Sequence, residues 1–256
     1  MSLRHFLVLG TAALMAVAVS ASAVSGADAP KKTVVLVHGA FADGSSWSKV
    51  IPLLEAKGLN VVAVQNPLSS LAADVDATRR AIDAQPGSVI LVGHSWAGFV
   101  ISQAGVDDKV KALVYVAAFA PPKGKSVNDL GAGQPPPPWQ AALQRDSGGY
   151  LTLSADAVAK YFAPDLTAKE IKVVAATQGP TFSGVFDEKL TQAAYETKPS
   201  WYIVAKHDQM IPPAAEAAMA KAIGAKVTEL STSHVAMLSK PREVADVILA
   251  AASSVK

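Results

Sequence analysis

Cysteine is absent from this chain of 256 residues. The absence excludes a thiol nucleophile, a disulfide framework and metal sites built on thiolate ligands. The five histidines are scattered along the sequence instead of clustering at metal-ligand spacing. We therefore predict that the protein holds no metal and that packing alone stabilises it.

An excess of charge of one sign is also missing, because 23 basic and 21 acidic residues leave a net charge of +2. No run of five like charges occurs, whereas a nucleic-acid binder concentrates its basic residues on one face. A nucleic-acid partner is therefore not expected. Apolar residues make up 50% of the chain, which is enough for one sizeable hydrophobic core.

Only one long apolar run is present, at residues 6–19, and it follows a short basic start. It is shorter than the roughly 20 residues that span a bilayer. This order is typical of a secretory signal peptide, with an A-x-A cleavage site near Ala23 or, alternatively, at residues 27–29. We predict a signal peptide over 1–23, a linker over 24–32, and a secreted or periplasmic protein without membrane contact after cleavage. The alternative is an uncleaved membrane anchor.

Strand and helix patterns alternate through residues 33–118 and again after residue 200. The predicted strands are 33–37, 61–64, 89–92, 110–117, 201–205 and 226–230, and the predicted helices are 46–57, 74–84, 99–104, 213–223 and 241–251. Short β-branched strands that alternate with helices predict an α/β fold with a mostly parallel central sheet flanked by helices. One domain over 33–256 accounts for both parts.

The alternation is interrupted at about residues 121–198, which contain several prolines and short helical stretches. We predict that this segment is a small helical cap over the carboxyl edge of the sheet; the alternative is a disordered linker. Six aromatic side chains of this segment are candidates to line an apolar pocket: Trp139, Tyr150, Tyr161, Phe162, Phe182 and Phe186. Aromatic residues at such spacing are more often simply part of a core.

The strongest chemical signal is Val-Ile-Leu-Val-Gly-His-Ser-Trp-Ala-Gly at residues 89–98. It places Ser95 at a sharp turn between a buried strand and a helix, where a hydroxyl stands exposed above the sheet. The N–H groups at the start of that helix favour a developing oxyanion. The usual pattern is G-x-S-x-G, and here Ala97 holds the last position with Gly98 after it. We expect tighter packing there, with the turn retained.

A serine nucleophile needs a base, and the base needs an orienting acid. Asp208 follows the strand 201–205 and His234 follows the strand 226–230, which is the chain order that such a fold uses. We therefore predict Ser95 as nucleophile, Asp208 as acid and His234 as base. Weaker alternatives are His207 as base and Asp187 or Glu229 as acid, while His94 is expected to be a packed, hydrogen-bonded residue.

A tetrahedral intermediate also needs two hydrogen-bond donors for its oxygen. The backbone N–H of Trp96, the residue after the nucleophile, is the first candidate. The second comes from the loop after the first strand, where we choose the N–H of Ala40 and keep Phe41 as the alternate.

His-Gly-Ala-Phe at residues 38–41, the elbow at 93–98, the Asp208 loop and Ser-His-Val-Ala-Met-Leu at 233–238 together resemble the α/β-hydrolase superfamily. The likeness covers residues 33–254 and is greatest to the small group of esterases and hydroxynitrile lyases that includes plant methyl esterases. It implies a Ser-Asp-His triad, no cofactor, and a substrate held under a small cap. The triad positions correspond to Ser95, Asp208 and His234.

The same resemblance separates esterases from lyases. The lyases carry threonine where this chain has Gly39, and lysine where it has Val235. The sequence therefore predicts hydrolysis of a small carboxylic ester through an acyl-serine intermediate. Two alternatives remain: a slow hydrolase-fold protein that mainly binds a ligand, and a cyanohydrin lyase or perhydrolase that uses the same site.

Overall fold

The computed structural model describes residues 31–255, and the predicted signal peptide lies outside them. Its centre is a six-stranded sheet in the order β2-β1-β3-β4-β8-β9, in which every neighbouring pair is parallel. The strands are β1 (Thr33–Val37), β2 (Asn60–Val64), β3 (Val89–His94), β4 (Val110–Val116), β8 (Ser200–Ala205) and β9 (Lys226–Leu230). The predicted α/β fold with a mostly parallel central sheet is confirmed.

The central strands are short apolar runs because helices cover both of their faces. All five residues of β1 and all six of β3 are buried. The edge strand β9 is different, since only Leu230 of its five residues is buried. The hydrophobic core therefore lies around the four central strands, β1, β3, β4 and β8.

Helices connect and flank the strands, as predicted. Within the described residues they are α1 (Ile51–Glu55), α2 (Leu71–Asp83), α3 (Ala97–Ala104), α4 (Val127–Gly131), α5 (Ala155–Ala157), α6 (Ala168–Thr177), α7 (Pro213–Ala222), α8 (Ala236–Ser239) and α9 (Pro241–Ser254). Helix α2 packs against α3, whereas α9 packs across β3, β4 and β8.

Four predicted helices had wrong bounds. The helix predicted over 99–104 begins at Ala97, and the helix predicted over 241–251 continues to Ser254. The helix predicted over 46–57 is a 3₁₀ helix (Gly44–Trp47) followed by the short α1. The helix predicted to begin at residue 74 begins at residue 71, because the Ser70 side chain accepts a hydrogen bond from the N–H of Ala73 and caps it. Polar caps of this kind leave no apolar period to read.

The direction of strand addition reverses next to β1. The chain continues from β1 to β2 on one side, while β3 lies on the other side of β1 with Val37 opposite Gly93. The loops that follow β1 and β3 therefore diverge over a crevice at the carboxyl edge of the sheet, which is where open α/β sheets bind ligands.

Residues 121–198, which we call the cap, join β4 to β8. The prediction of a helical cap was incomplete, because the cap also contains an antiparallel sheet of β5 (Leu143–Arg145), β6 (Tyr150–Leu153) and β7 (Thr181–Phe182). Its strands are only two to four residues long, too short to show an alternating pattern. Throughout the described residues, no helix is long and apolar enough to cross a membrane.

Candidate active site

Ser95 lies in a strained turn between β3 and α3. Its φ of 54° is in the left-handed region, which a residue with a side chain rarely occupies. The surrounding backbone holds it there: Ser95 N–H donates to the carbonyl of Val116 at 3.2 Å, and Ser95 O accepts from the N–H of Phe119 at 3.1 Å. Strain that neighbouring strands hold in place is typical of functional turns.

Small neighbours make this turn possible. A Cβ added to Gly98 would lie 1.8 Å from the carbonyl oxygen of Phe119, and one added to Gly93 would lie 2.8 Å from the carbonyl oxygen of Ala97. Ala97 itself is fully buried, and Ser95 keeps its left-handed conformation beside it. The positions at which this turn demands glycine are therefore 93 and 98.

The structure brings Ser95, His234 and Asp208 into one hydrogen-bonded line. His234 Nε2 lies 2.8 Å from Ser95 Oγ, and His234 Nδ1 lies 2.5 Å from Asp208 Oδ2. All three side chains are buried, with Ser95 7% exposed. The three residues follow the ends of β3, β8 and β9, so the parallel sheet itself gathers them at one edge.

Asp208 is further held by backbone donors. Its Oδ1 accepts hydrogen bonds from the N–H groups of Met210 at 2.6 Å and Ile211 at 3.0 Å. Because these bonds occupy one oxygen, the other is directed to His234. This arrangement fixes the carboxylate in the orientation that a base-orienting acid requires.

The alternative acids and bases do not reach this line. His207, Asp187 and Glu229 are all exposed, and Glu229 pairs with Lys206 at 3.8 Å. His94 is buried beneath the turn, where its Nε2 lies 3.0 Å from the carbonyl oxygen of His234. Burial holds the pKa of His94 well below its ordinary value, as expected for a packed, neutral histidine.

The predicted oxyanion donors border the same space. Ala40, Phe41 and Trp96 line one cavity together with Ser95 and His234. The N–H of Phe41 is already used, since it donates to Thr181 Oγ1 at 3.3 Å. Among the described residues, the N–H groups of Ala40 and Trp96 have no hydrogen-bond acceptor. This difference favours the N–H of Ala40 over that of Phe41 as the second oxyanion donor.

A neutral histidine supports the loop that carries Ala40. His38 Nε2 accepts a hydrogen bond from the N–H of Asn66 at 2.9 Å, so its proton is on Nδ1, which lies 2.9 Å from the carbonyl oxygen of Gly39. Burial lowers the pKa of His38. The ring therefore links the loop after β1 to the loop after β2 without adding charge.

Aromatic side chains line the cavity above Ser95, which has a volume of about 90 Å³. Three come from the core and its loops (Phe41, Trp96 and Phe119) and three from the cap (Trp139, Phe162 and Phe186).

The other three candidate aromatics of the cap lie elsewhere. Tyr150 packs on Phe182 with ring centroids 5.5 Å apart, and Lys160 Nζ lies 4.9 Å from the ring centre of Tyr161. Half of the predicted aromatic lining is therefore present.

Three acidic residues near the site were not predicted from the sequence. Asp74 and Glu216 have no exposed surface, and the cap residue Asp165 accepts two hydrogen bonds from Ser233, at 2.8 Å from its N–H and 2.5 Å from its hydroxyl. Ser233 precedes His234, so the cap contacts the loop of the base directly. Only Glu216 had a sequence feature that could have identified it, because it is an isolated acidic residue in an alanine-rich helix.

The sequence is similar to sequences of known proteins over most of its length. Residues 34–247 match the sequence profile of the Alpha/beta hydrolase family. An alpha/beta hydrolase of Aspergillus novofumigatus is 28% identical over 244 residues, covering 87% of this chain and 97% of the relative. Methylesterase 1 of Arabidopsis thaliana is 26% identical over 258 residues, covering 86% of this chain and 95% of the relative.

A solved structure has the same architecture. The crystal structure of polyneuridine aldehyde esterase superposes with a TM-score of 0.77 at 22% identity, and the match covers 86% of this chain and 98% of that chain. At this level of identity the likeness concerns the fold alone.

Proposed function

Because the chain belongs to the alpha/beta hydrolase family, we propose that it is a serine esterase that cleaves a small carboxylic ester through an acyl-serine intermediate. One observation carries the proposal: Ser95 Oγ, His234 and Asp208 form a continuous hydrogen-bonded line, and Ser95 and His234 line a cavity. The esterase names of the relatives, such as the methylesterase of Arabidopsis thaliana, agree with it.

The reaction begins at Ser95. Its Oγ attacks the ester carbonyl while His234 Nε2, 2.8 Å away, takes the hydroxyl proton. The Asp208 carboxylate accepts a hydrogen bond from the Nδ1–H of the ring and stabilises the imidazolium that forms. The imidazolium then gives its Nε2 proton to the departing alcohol, which leaves an acyl-serine. A water molecule, deprotonated by the same ring, releases the carboxylic acid.

The negative oxygen of each tetrahedral intermediate needs donors that are not already used. The backbone N–H groups of Ala40 and Trp96 meet this condition, since they lack acceptors among the described residues and both residues line the cavity. We assign them as the oxyanion hole. Donors that are fixed in place before reaction stabilise the developing charge without reorganisation.

The cavity suggests the kind of acyl group that fits. A volume of about 90 Å³ is well below the several hundred Å³ of sites for drug-sized ligands. The lining is mostly aromatic and aliphatic, and the indole N–H of Trp139 is taken by the carbonyl of Met210 at 3.0 Å. A compact, uncharged ester is therefore the expected substrate. The proposed reaction needs no cofactor.

The test combines turnover with covalent labelling. Wild type should hydrolyse p-nitrophenyl acetate and be labelled by a fluorophosphonate, whereas Ser95→Ala should lose both. Removing a member of such a triad lowers kcat by about 10⁴-fold or more. Ser253→Ala, at an exposed serine of α9, is the matched control. Unchanged hydrolysis by Ser95→Ala would refute the proposal, and labelling without turnover of any ester would favour a ligand-binding role.

Gly39 bears on the cyanohydrin lyase alternative. A Cβ at this position would lie 2.6 Å from Ser95 Cβ, so the threonine that marks the lyases does not fit the present geometry. This supports ester cleavage over cyanohydrin cleavage. A cyanide-release assay beside the ester assay distinguishes the two reactions.

We also propose that the mature protein is exported after cleavage near Ala23. The apolar run at residues 6–19 and the small residues after it support this. N-terminal sequencing of the protein from an expressing bacterium tests it, because export predicts a mature chain that starts close to residue 24. A full-length chain retained inside the cell would contradict it.

A further inference from the structure

Glu216, in the first turn of α7, has a carboxyl group completely removed from solvent. Its Oε2 accepts a hydrogen bond from the N–H of Ala205 at 3.0 Å, at the end of β8. Its Oε1 is also buried and receives no N–H or O–H hydrogen bond from the described residues. A charged carboxylate in this position would leave one oxygen unpaired, which is costly.

The neighbour of this carboxyl group is Asp208, whose carboxylate lies in hydrogen-bonding contact with it. The other titratable group that faces Glu216 is Tyr202, whose hydroxyl donates to the carbonyl of Ala118. Two carboxylates in contact cannot both be ionised without strong repulsion, so such a pair shares a proton.

The proton shared by the two carboxyl groups belongs on Glu216, because more hydrogen-bond donors stabilise the ionised form of Asp208. Two backbone N–H groups and His234 Nδ1 all point at Asp208, and each stabilises its negative form. Glu216 has one such donor. Burial, and then the nearby Asp208 charge, raise the pKa of Glu216 well above its ordinary value, which agrees with a proton held on Glu216.

From this arrangement we infer that Glu216 is a positioning residue whose neutral carboxylic acid donates a hydrogen bond to the Asp208 carboxylate. The bond adds one more donor to those that orient Asp208 toward His234. Glu216 also accepts from the backbone of β8, so it ties Asp208 to the end of the strand that carries it. The inference rests on the proposed function for its catalytic meaning, but the hydrogen bond itself does not depend on any substrate.

Two variants separate this role from mere packing. Glu216→Gln keeps an oxygen for the N–H of Ala205 and an N–H₂ donor for Asp208, and it carries no charge. Glu216→Met fills a similar space but keeps neither. The exposed Glu229→Gln, on the neighbouring strand β9, is the control for removal of an acidic residue in the same region.

The measurement is the rate at which a fluorophosphonate labels Ser95, followed across pH. Glu216→Gln should rescue the wild-type rate to within about twofold and keep the midpoint of the acid limb within a few tenths of a pH unit. Glu216→Met should label about tenfold more slowly, because a hydrogen bond to a charged group is lost. Without that donor Asp208 attracts the imidazolium proton more strongly, so the acid limb should move to higher pH.

Two results would overturn the inference. If Glu216→Gln moved the acid limb down by about one pH unit, a negative charge would have been removed, and Glu216 would have been ionised. If Glu216→Met matched wild type in rate and midpoint, the hydrogen bond would be irrelevant. Should Glu216→Met fail to fold, the Gln variant still decides, as does the infrared band of a protonated carboxylic acid, expected in wild type at pH 8, where Asp74 is ionised, and absent from Glu216→Gln.

The proposed esterase function and the role of Glu216 can fail independently in these experiments. If no ester is turned over while Ser95 is labelled normally, the esterase proposal fails, and the labelling profiles and infrared band still test the role of Glu216. If esters are turned over and the Gln variant fails to rescue, only the role of Glu216 is refuted.

Discussion

The indole Nε1 of Trp96 donates a hydrogen bond of 2.9 Å to Oδ2 of Asp74, a carboxylate with no exposed surface. The second oxygen of Asp74 accepts from the N–H of Leu68 at 2.8 Å, and the carbonyl of Leu68 accepts from Phe182 N–H in the cap. Helix α2 thus supports both the residue next to Ser95 and a contact with the cap. No cation pairs with Asp74 among its described partners, so its charge is costly.

The first prediction concerns the pH dependence of stability. Burial raises the pKa of Asp74 to about 6, above the value of about 3.9 expected in the unfolded chain. Between these values the folded protein binds more protons, so the stability associated with this group is complete at low pH and declines as pH rises to about 6. The free energy of unfolding of wild type, relative to Asp74→Asn, should fall by up to about 3 kcal/mol from pH 4 to pH 7.

Urea unfolding of both proteins at several pH values provides the measurement, since titrations common to the two cancel in the difference. Asp76→Asn, at an exposed carboxylate of the same helix, shows how much of the slope comes from any lost carboxylate. A difference curve that rises with pH would contradict the prediction, as would one no steeper than that of the control.

The second prediction is that Gly39→Ala damages the site. The added Cβ would lie 2.6 Å from Ser95 Cβ and 2.8 Å from the carbonyl oxygen of His94. Neither atom is at the end of a flexible side chain, so Ser95 must shift relative to its neighbours. Because displacement of a reacting group by about 1 Å can cost 10²-fold, kcat/KM for p-nitrophenyl acetate should fall by about two orders of magnitude.

Gly131→Ala is the matched control for this substitution. A Cβ there would meet nothing within 4 Å, and Gly131 does not line the cavity. Its activity should equal that of wild type. If Gly39→Ala retained full activity, the close approach of the loop after β1 to Ser95 would have no catalytic consequence.

The third prediction concerns acyl preference. The Phe186 ring of the cap packs on two rings of the core side, with centroids 6.1 Å from Trp96 and 6.5 Å from Phe41. Phe186→Ala should lengthen the cavity beside Ser95. The ratio of kcat/KM for p-nitrophenyl hexanoate to that for the acetate should rise at least about tenfold, since acceptance of even one additional methylene group by a pocket is worth roughly that factor.

The ratio is informative even if the substitution lowers stability, because both substrates sample the same folded fraction. Phe182→Ala removes a cap phenylalanine that packs on Tyr150 outside the cavity. It should leave the ratio unchanged. An equal rise in both variants would indicate a general loosening of the cap, and no rise in Phe186→Ala would mean that this ring does not limit the acyl chain.

The architecture was largely determined by local sequence patterns. Apolar β-branched runs such as 33–37 and 89–92 identify buried parallel strands, and the strand-turn-helix context of Ser95 identifies the elbow. Because parallel strands end at one edge, chain order also predicted that residues after β8 and β9 would approach Ser95. These inferences succeed since periodicity and strand direction are properties of the local chain.

Only the tertiary structure decided which polar groups are buried and paired. Asp74 and Glu216 lie in helices like many exposed acids, and nothing nearby in the chain indicates that one faces Trp96 and the other Asp208. Likewise, Thr181 occupies the N–H of Phe41 from 140 residues away, whereas the N–H of Ala40 has no acceptor among the described residues. Burial and hydrogen-bond partnership depend on packing between distant segments, so a pattern within one segment does not contain them.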